Sequence, residues 1–251
     1  MSVDIDISEA AGVRYLHFGS DWVQGAMRIA RPWALELDYT REMMAALLLR
    51  PDPDWPRKAL LVGLGAGSLA KFLYRHRPRC HLVVVEIEPR VVAAARHHFR
   101  LPPEDPRFRI VVGDGADYVM DPRRRFDLIL TDGFDADARA GDLDTLPFYL
   151  NCRQRLSAEG LLVANLLSRR KDFRASVSRI REAFDDRALA FPSCDSGNAI
   201  AVAATGTPVA LGLDELHRAA KSLKSTTGLN LAAMLARLEA AGTCKGGVLR
   251  L

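Results

Sequence analysis

No apolar run in this 251-residue chain approaches the roughly 20 residues that a membrane-spanning helix requires, which excludes a membrane-embedded chain of that kind. The opening MSVDIDISEA carries acids and lacks the basic start and apolar core of a secretory leader, so the expected location is the cytoplasm, with no membrane partner. Cysteine is sparse. Cys80, Cys152, Cys194 and Cys244 lie far apart, form no C-x-x-C pair and have no histidine at ligand spacing, so they read as buried or idle thiols and no metal site is expected. A concentrated basic stripe is missing too. The net charge is +4 and the pI about 9.0, but the positive residues are dispersed apart from Arg123-Arg124-Arg125 and Arg169-Arg170-Lys171. Those runs read as solvated loop and helix ends, and no nucleic-acid partner is expected.

What is present is a regular alternation. The stretches 13–19 (VRYLHFG) and 23–31 (VQGAMRIAR) have the β-rich look of two strands joined across Gly19-Ser20-Asp21, a small N-terminal hairpin. REMMAALLL follows as a short helix, and the proline-rich PDPDWP ends it, which places a boundary near residue 56. Beyond it, five apolar runs, ALLVG, HLVVVEI, FRIVVG, FDLILTD and GLLVANL, are each followed by a helical pattern. This order calls for an α/β fold, a mostly parallel sheet covered by helices on both faces. LAFPS and AIAVAA supply a closing strand pair, and DELHRAAKSL and LNLAAMLARLEAA read as a C-terminal helical cap. The expected divisions are 1–56, 57–205 and 206–251.

Chemistry-bearing residues collect where those strands end. GLGAGS (63–68) follows one strand and opens a helix, so Gly63, Gly65 and Gly67 permit a tight turn that brings backbone N–H groups to a ligand. Ser68 stands where a dinucleotide fingerprint has its third glycine, and the G-x-G-x-G spacing suits a sulfonium nucleoside better than NAD. Glu86, followed by Ile87, ends HLVVVEI at the distance where a carboxylate accepts from both ribose hydroxyls. Asp114, followed by Gly115 in GDG, is placed to accept from an adenine amine. Each has a plain structural reading: a turn, a helix-start acid, an N-cap. Together they aim polar groups at one crevice and favour a nucleoside pocket. His97 and His98 have no acid or cysteine at metal spacing and read as near-surface helix residues.

At the fourth strand end, LTDGFDADARAG places Asp132, Asp135 and Asp137 within six positions. Turn chemistry explains some Asp-Gly pairs. Several like charges beside a crevice nevertheless raise one another's pKa unless a cation fills the space. A small cationic amine meets that need, with one carboxylate taking the proton that a primary amine must lose before attacking carbon next to a sulfonium, and another holding a remote ammonium.

From about Tyr15 to Ala204 the chain resembles the spermidine/spermine synthase family of aminopropyltransferases, most specifically in VQGAM, LDYTREMM, VVVEIEP with GDG, and TDGFD followed by FY. The resemblance implies a small N-terminal β region before a Rossmann-like, doubly wound domain that binds decarboxylated S-adenosylmethionine and releases methylthioadenosine, in a homodimer. It assigns Gln24 to the nucleoside, Glu86 to the ribose, Asp114 to the adenine, Tyr39 and Asp135 to the amine site, and Asp132 to the general base. Departures accompany the matches. The family's GGGDGG carries an Asp that grips the aminopropyl arm, where this chain has Ala66; Ala136 replaces a proline, Cys194 a tyrosine and Asn165 a glutamine. S-adenosylmethionine therefore stays open as an alternative donor, as do methyl transfer on the same fold and a non-catalytic nucleoside-binding relative.

Overall fold

Three antiparallel strands open the chain: β1 (Asp6–Ala10), β2 (Val13–His17) and β3 (Val23–Arg28). The computed structural model describes residues 4–20, 22–194 and 196–251; Asp21 of the expected turn and the first three residues of the leader reading lie outside the described residues. The hairpin expected from the sequence is β2 and β3, and β1 is an addition to it. DISEA has no apolar alternation to reveal a strand, because only its pairing with β2 makes it one.

Two short helices follow, α1 (Asp38–Met43) and α2 (Ala46–Leu49), where a single helix was expected. Every residue from Met43 to Leu49 is buried, so the path of this segment is set by the core around it rather than by an amphipathic face. The main alternation then runs β4 (Lys58–Val62), α3 (Ser68–His76), β5 (His81–Glu86), α4 (Pro89–His98), β6 (Phe108–Val112), α5 (Gly115–Met120), β7 (Phe126–Thr131), α6 (Leu146–Arg155), β8 (Leu156–Leu167), α7 (Phe173–Ala183), β9 (Ala188–Ala190) and β10 (Asn198–Ala204). These strands form one seven-stranded sheet in the order β6-β5-β4-β7-β8-β10-β9. It is parallel from β6 to β8 and antiparallel only at β10 and β9.

The chain moves outward from β4 to β5 and β6 on one side and returns to β7 and β8 on the other. The switch point between β4 and β7 is where such sheets open a crevice beyond their strand ends. Register levels those ends: Val62 pairs with Thr131, and Thr131 with Ala164, so the next residues, Gly63, Asp132 and Asn165, stand in one row.

The remaining elements are β11 (Ala210–Gly212), α8 (Leu213–Thr227), α9 (Ala232–Ala240) and β12 (Val248–Arg250). The two helices match the expected cap. The β11–β12 pair was not foreseen, since three-residue strands leave no period to read. Leu249 and Leu251 belong to the same hydrophobic cluster as the sheet residues Leu61, Leu128 and Val163, and Arg237 of α9 pairs with the buried Glu42 of α1. The cysteines are buried free thiols. Among the described residues no helix is long and apolar enough to cross a membrane, and no group of three His, Cys, Asp or Glu side chains could hold a metal ion.

Candidate active site

Glycine is required where β4 meets β7. Gly63 has φ 95°, and a Cβ there would stand 2.2 Å from the carbonyl oxygen of Asp132. No other residue lets the glycine loop and the end of β7 approach so closely. The Asp132 N–H donates to Val62 O at 2.8 Å and fixes the same junction from the other side.

Beyond that junction lies a cavity of about 650 Å³, a size that suits a nucleoside with a small second molecule. Gln24, Tyr39, Gly63, Gly65, Glu86, Ile87, Asp114, Gly115, Asp132 and Asp135 all line it, so the chain folds the candidate residues from six separate segments into one cleft. Gly67 does not line it. Its φ of 68° makes the left-handed entry to α3, and a Cβ there would meet Leu101, so its part is the turn.

Glu86 is buried at the end of β5. Its Oε2 accepts from the Leu64 N–H at 2.8 Å and its Oε1 from the Glu88 N–H at 2.9 Å. Burial pushes its pKa up, and those backbone donors pull it back. Ile87, two-thirds exposed at 67%, offers an apolar surface beside it. Asp114 caps α5 by accepting from the Ala116 N–H at 2.7 Å, and the same residue lines the cavity.

Asp132 is the centre of the opposite half. Tyr39 Oη donates to its Oδ2 at 3.2 Å and Asn165 Nδ2 to its Oδ1 at 2.8 Å. Burial raises the carboxyl pKa, and the donors from Asn165 and Tyr39 oppose the rise. Among the described residues no arginine or lysine pairs with it. Tyr39 is raised well above the ordinary phenol value, first by burial and then by Asp132, so it remains a donor. Asp135 is exposed at the rim, where its Oδ1 accepts from the N–H groups of Asp137 at 2.9 Å and Arg139 at 2.8 Å and closes its own loop. Asp137 faces solvent near Arg139.

Ala66 does not line this cavity but borders a small space beside it, shared with Tyr39, Gly63 and Asp132. It is 2% exposed, packs with Leu16, Met27, Ala94 and Phe99, and would lie 2.6 Å from a Cβ on Gly25 of β3. The hairpin therefore closes over the position where the resembling family has a carboxylate. Sequence reasoning missed Glu36, Asp38 and Asp142 in the cleft wall, as well as Ser196 and Asn198. Asn198 had one visible signal, a polar residue opening the otherwise apolar AIAVAA.

A domain model described as spermine/spermidine synthase matches residues 37–190. A polyamine aminopropyltransferase of Neisseria meningitidis is 36% identical over 243 residues, covering 97% of this chain and 92% of the relative. Among solved structures, a probable spermidine synthase from Corynebacterium glutamicum superposes with TM-score 0.70 at 20% identity, covering 88% of this chain and 83% of the other. Human methyltransferase-like protein 13, in complex with SAH, reaches 0.68 at 23% identity over 77% of this chain and 93% of the other. At these identities the two structures speak for the fold alone.

Proposed function

The chain belongs to the spermine/spermidine synthase family, and from that premise we propose that it moves an aminopropyl group from decarboxylated S-adenosylmethionine to a primary amine such as putrescine. It is a transferase. The observation that carries the reading is Asp132: a carboxyl at the switch point of the sheet, held on both oxygens by Tyr39 and Asn165, with burial raising its pKa toward that of a useful base.

The nucleoside lies along the glycine loop, with Glu86 on the ribose diol, Asp114 on the adenine amine and Gln24 and Ile87 against its faces. The amine enters from the side of Tyr39 and Asp135. Asp132 takes one proton from the acceptor ammonium, and the freed nitrogen lone pair attacks the methylene carbon beside sulfur. The N–C bond forms as the C–S bond breaks, and its electron pair returns to sulfur as the neutral thioether of methylthioadenosine. The remote ammonium of the acceptor stays charged against the rim carboxylate of Asp135. Ala66 supplies no charge to the donor arm, so the arm's ammonium finds no counterion at that position of the glycine loop.

The test offers both sulfonium nucleosides with putrescine, spermidine, cadaverine and agmatine and identifies the nucleoside product by mass spectrometry. Methylthioadenosine is expected; S-adenosylhomocysteine would overturn the proposal. Asp132→Asn is expected to retain nucleoside binding while turnover falls by about 10²- to 10⁴-fold. Normal turnover in that variant would remove Asp132 from the role of base.

A further inference from the structure

Behind Asp132 runs a line of hydrogen bonds that all point the same way. Ser196 Oγ donates to Asn198 Oδ1 at 2.7 Å, Asn198 Nδ2 donates to Asn165 Oδ1 at 2.9 Å, and Asn165 Nδ2 donates to Asp132 Oδ1 at 2.8 Å. Both asparagines are buried, at 9% and 6% exposure, inside a sheet whose other residues here are apolar. Buried amides of this kind are retained only when their donors and acceptors are matched.

The sheet explains how they meet. Asn165 of β8 pairs across the antiparallel ladder with Ile200, and Asn198 lies two residues earlier on β10, so the two asparagines are diagonal neighbours on one face. Ser196 sits in the short turn before β10, which is closed by the Cys194 N–H on Asn198 O at 2.9 Å and the Ser168 N–H on Gly197 O at 2.9 Å.

We propose that Asn198 is a positioning residue for the transfer reaction: it fixes which end of the Asn165 amide faces Asp132, so that the carboxylate always receives an N–H and never confronts a carbonyl. An amide has two nearly isosteric orientations. With Asn198 Nδ2 on Asn165 Oδ1, only one of them is bonded at both ends, and Ser196 bonds the other end of the Asn198 amide. The reversed amide would set an oxygen lone pair against Asp132, disfavour its ionised form and weaken it as a base at neutral pH. The inference rests on Asp132 acting as that base.

The cleft that Asp132 faces also holds Glu36, Asp38, Glu88, Arg139 and Asp142 in its wall. Tyr39 approaches Asp132 from α1, Cys194 contacts Ser196 at 3.0 Å, and Glu86, Asp114 and Asp135 line the shared cleft.

Asn198→Asp places acceptors opposite Asn165 Oδ1 and favours reversal of its amide. The acid limb of kcat/KM is expected to move up by about one pH unit, with about a tenfold loss on the acid side of the limb that recovers at higher pH and an unchanged KM for the donor. Ser196→Ala should shift the limb the same way by less, and it supplies the test if the aspartate variant does not fold. A pH-independent loss of activity, or no shift in either variant, would overturn the proposal. Carboxyl ¹³C NMR of Asp132, assigned with Asp132→Asn, separates this outcome from failure of the transfer reading. An upward shift of the Asp132 titration in a protein that transfers nothing would leave the positioning intact; an unmoved titration in an active enzyme would end it.

Discussion

Lys71 shows how a single buried side chain couples this fold to pH. It is 1% exposed on α3 and donates through Nζ to the carbonyl of Phe99 at 2.7 Å, tying α3 to the end of α4. Burial lowers its pKa from 10.5 to about 8. A depressed lysine costs stability while both states are protonated, below about pH 8. As pH rises from there toward the unfolded value, the native state releases its proton first and the unfolded state binds more, so stability rises. Across that window the wild type should gain up to about 3 kcal/mol relative to Lys71→Met, as read from urea melts at pH 7.5 and pH 10. Equal slopes would show that Lys71 stays protonated in the native protein over this range. No sequence pattern distinguishes this lysine from a solvated one, whereas Asp132, Glu86 and Asp114 were legible because each ends an apolar strand at the same edge.

At the scale of elements, the strands and helices of the central sheet were readable from their periods, and the glycine loop from its place between two of them. Pairing between distant segments was not. The β11–β12 pair joins segments far apart in sequence, while β1, which pairs with its neighbour β2, and the break between α1 and α2 show no period of their own. The same limit hid the fate of Ala66, which the sequence presents as a missing carboxylate and the fold presents as a contact between the glycine loop and the hairpin. Ala66→Asp should therefore not restore a donor grip. It would press a carboxylate into the Gly25 backbone and an apolar cluster, lowering stability by about 2–4 kcal/mol without improving kcat/KM. Denaturation together with steady-state kinetics checks both halves; an undiminished melt with a tighter donor KM would show that the hairpin yields. Asn198 likewise escaped notice because its meaning arises across the ladder, from Asn165, and not within its own strand.

The whole molecule carries +4, yet the cleft wall includes Glu36, Asp38, Glu86, Asp114, Asp132, Asp135 and Asp142. Some of these acids are balanced locally, Glu36 by Arg28 and Asp38 by Arg41, while the Asp132 carboxyl carries no ion pair among the described residues. A polyamine thus meets two fields of opposite sign at two distances. From afar it approaches a positive body, and only within the cleft does it meet carboxylates. Salt acts mainly on the distant field, since the Debye length falls from about 30 Å at 0.01 M to about 10 Å at 0.1 M. Raising ionic strength over that range should leave kcat/KM for a diamine level or slightly higher, measured with saturating donor. A steep fall would mean that the cleft's negative field reaches far into solvent and steers the substrate. The acid-lined cleft inside a basic body also gives departure a direction: a product with one more ammonium than its precursor, once past the rim, is repelled more strongly than the diamine that entered.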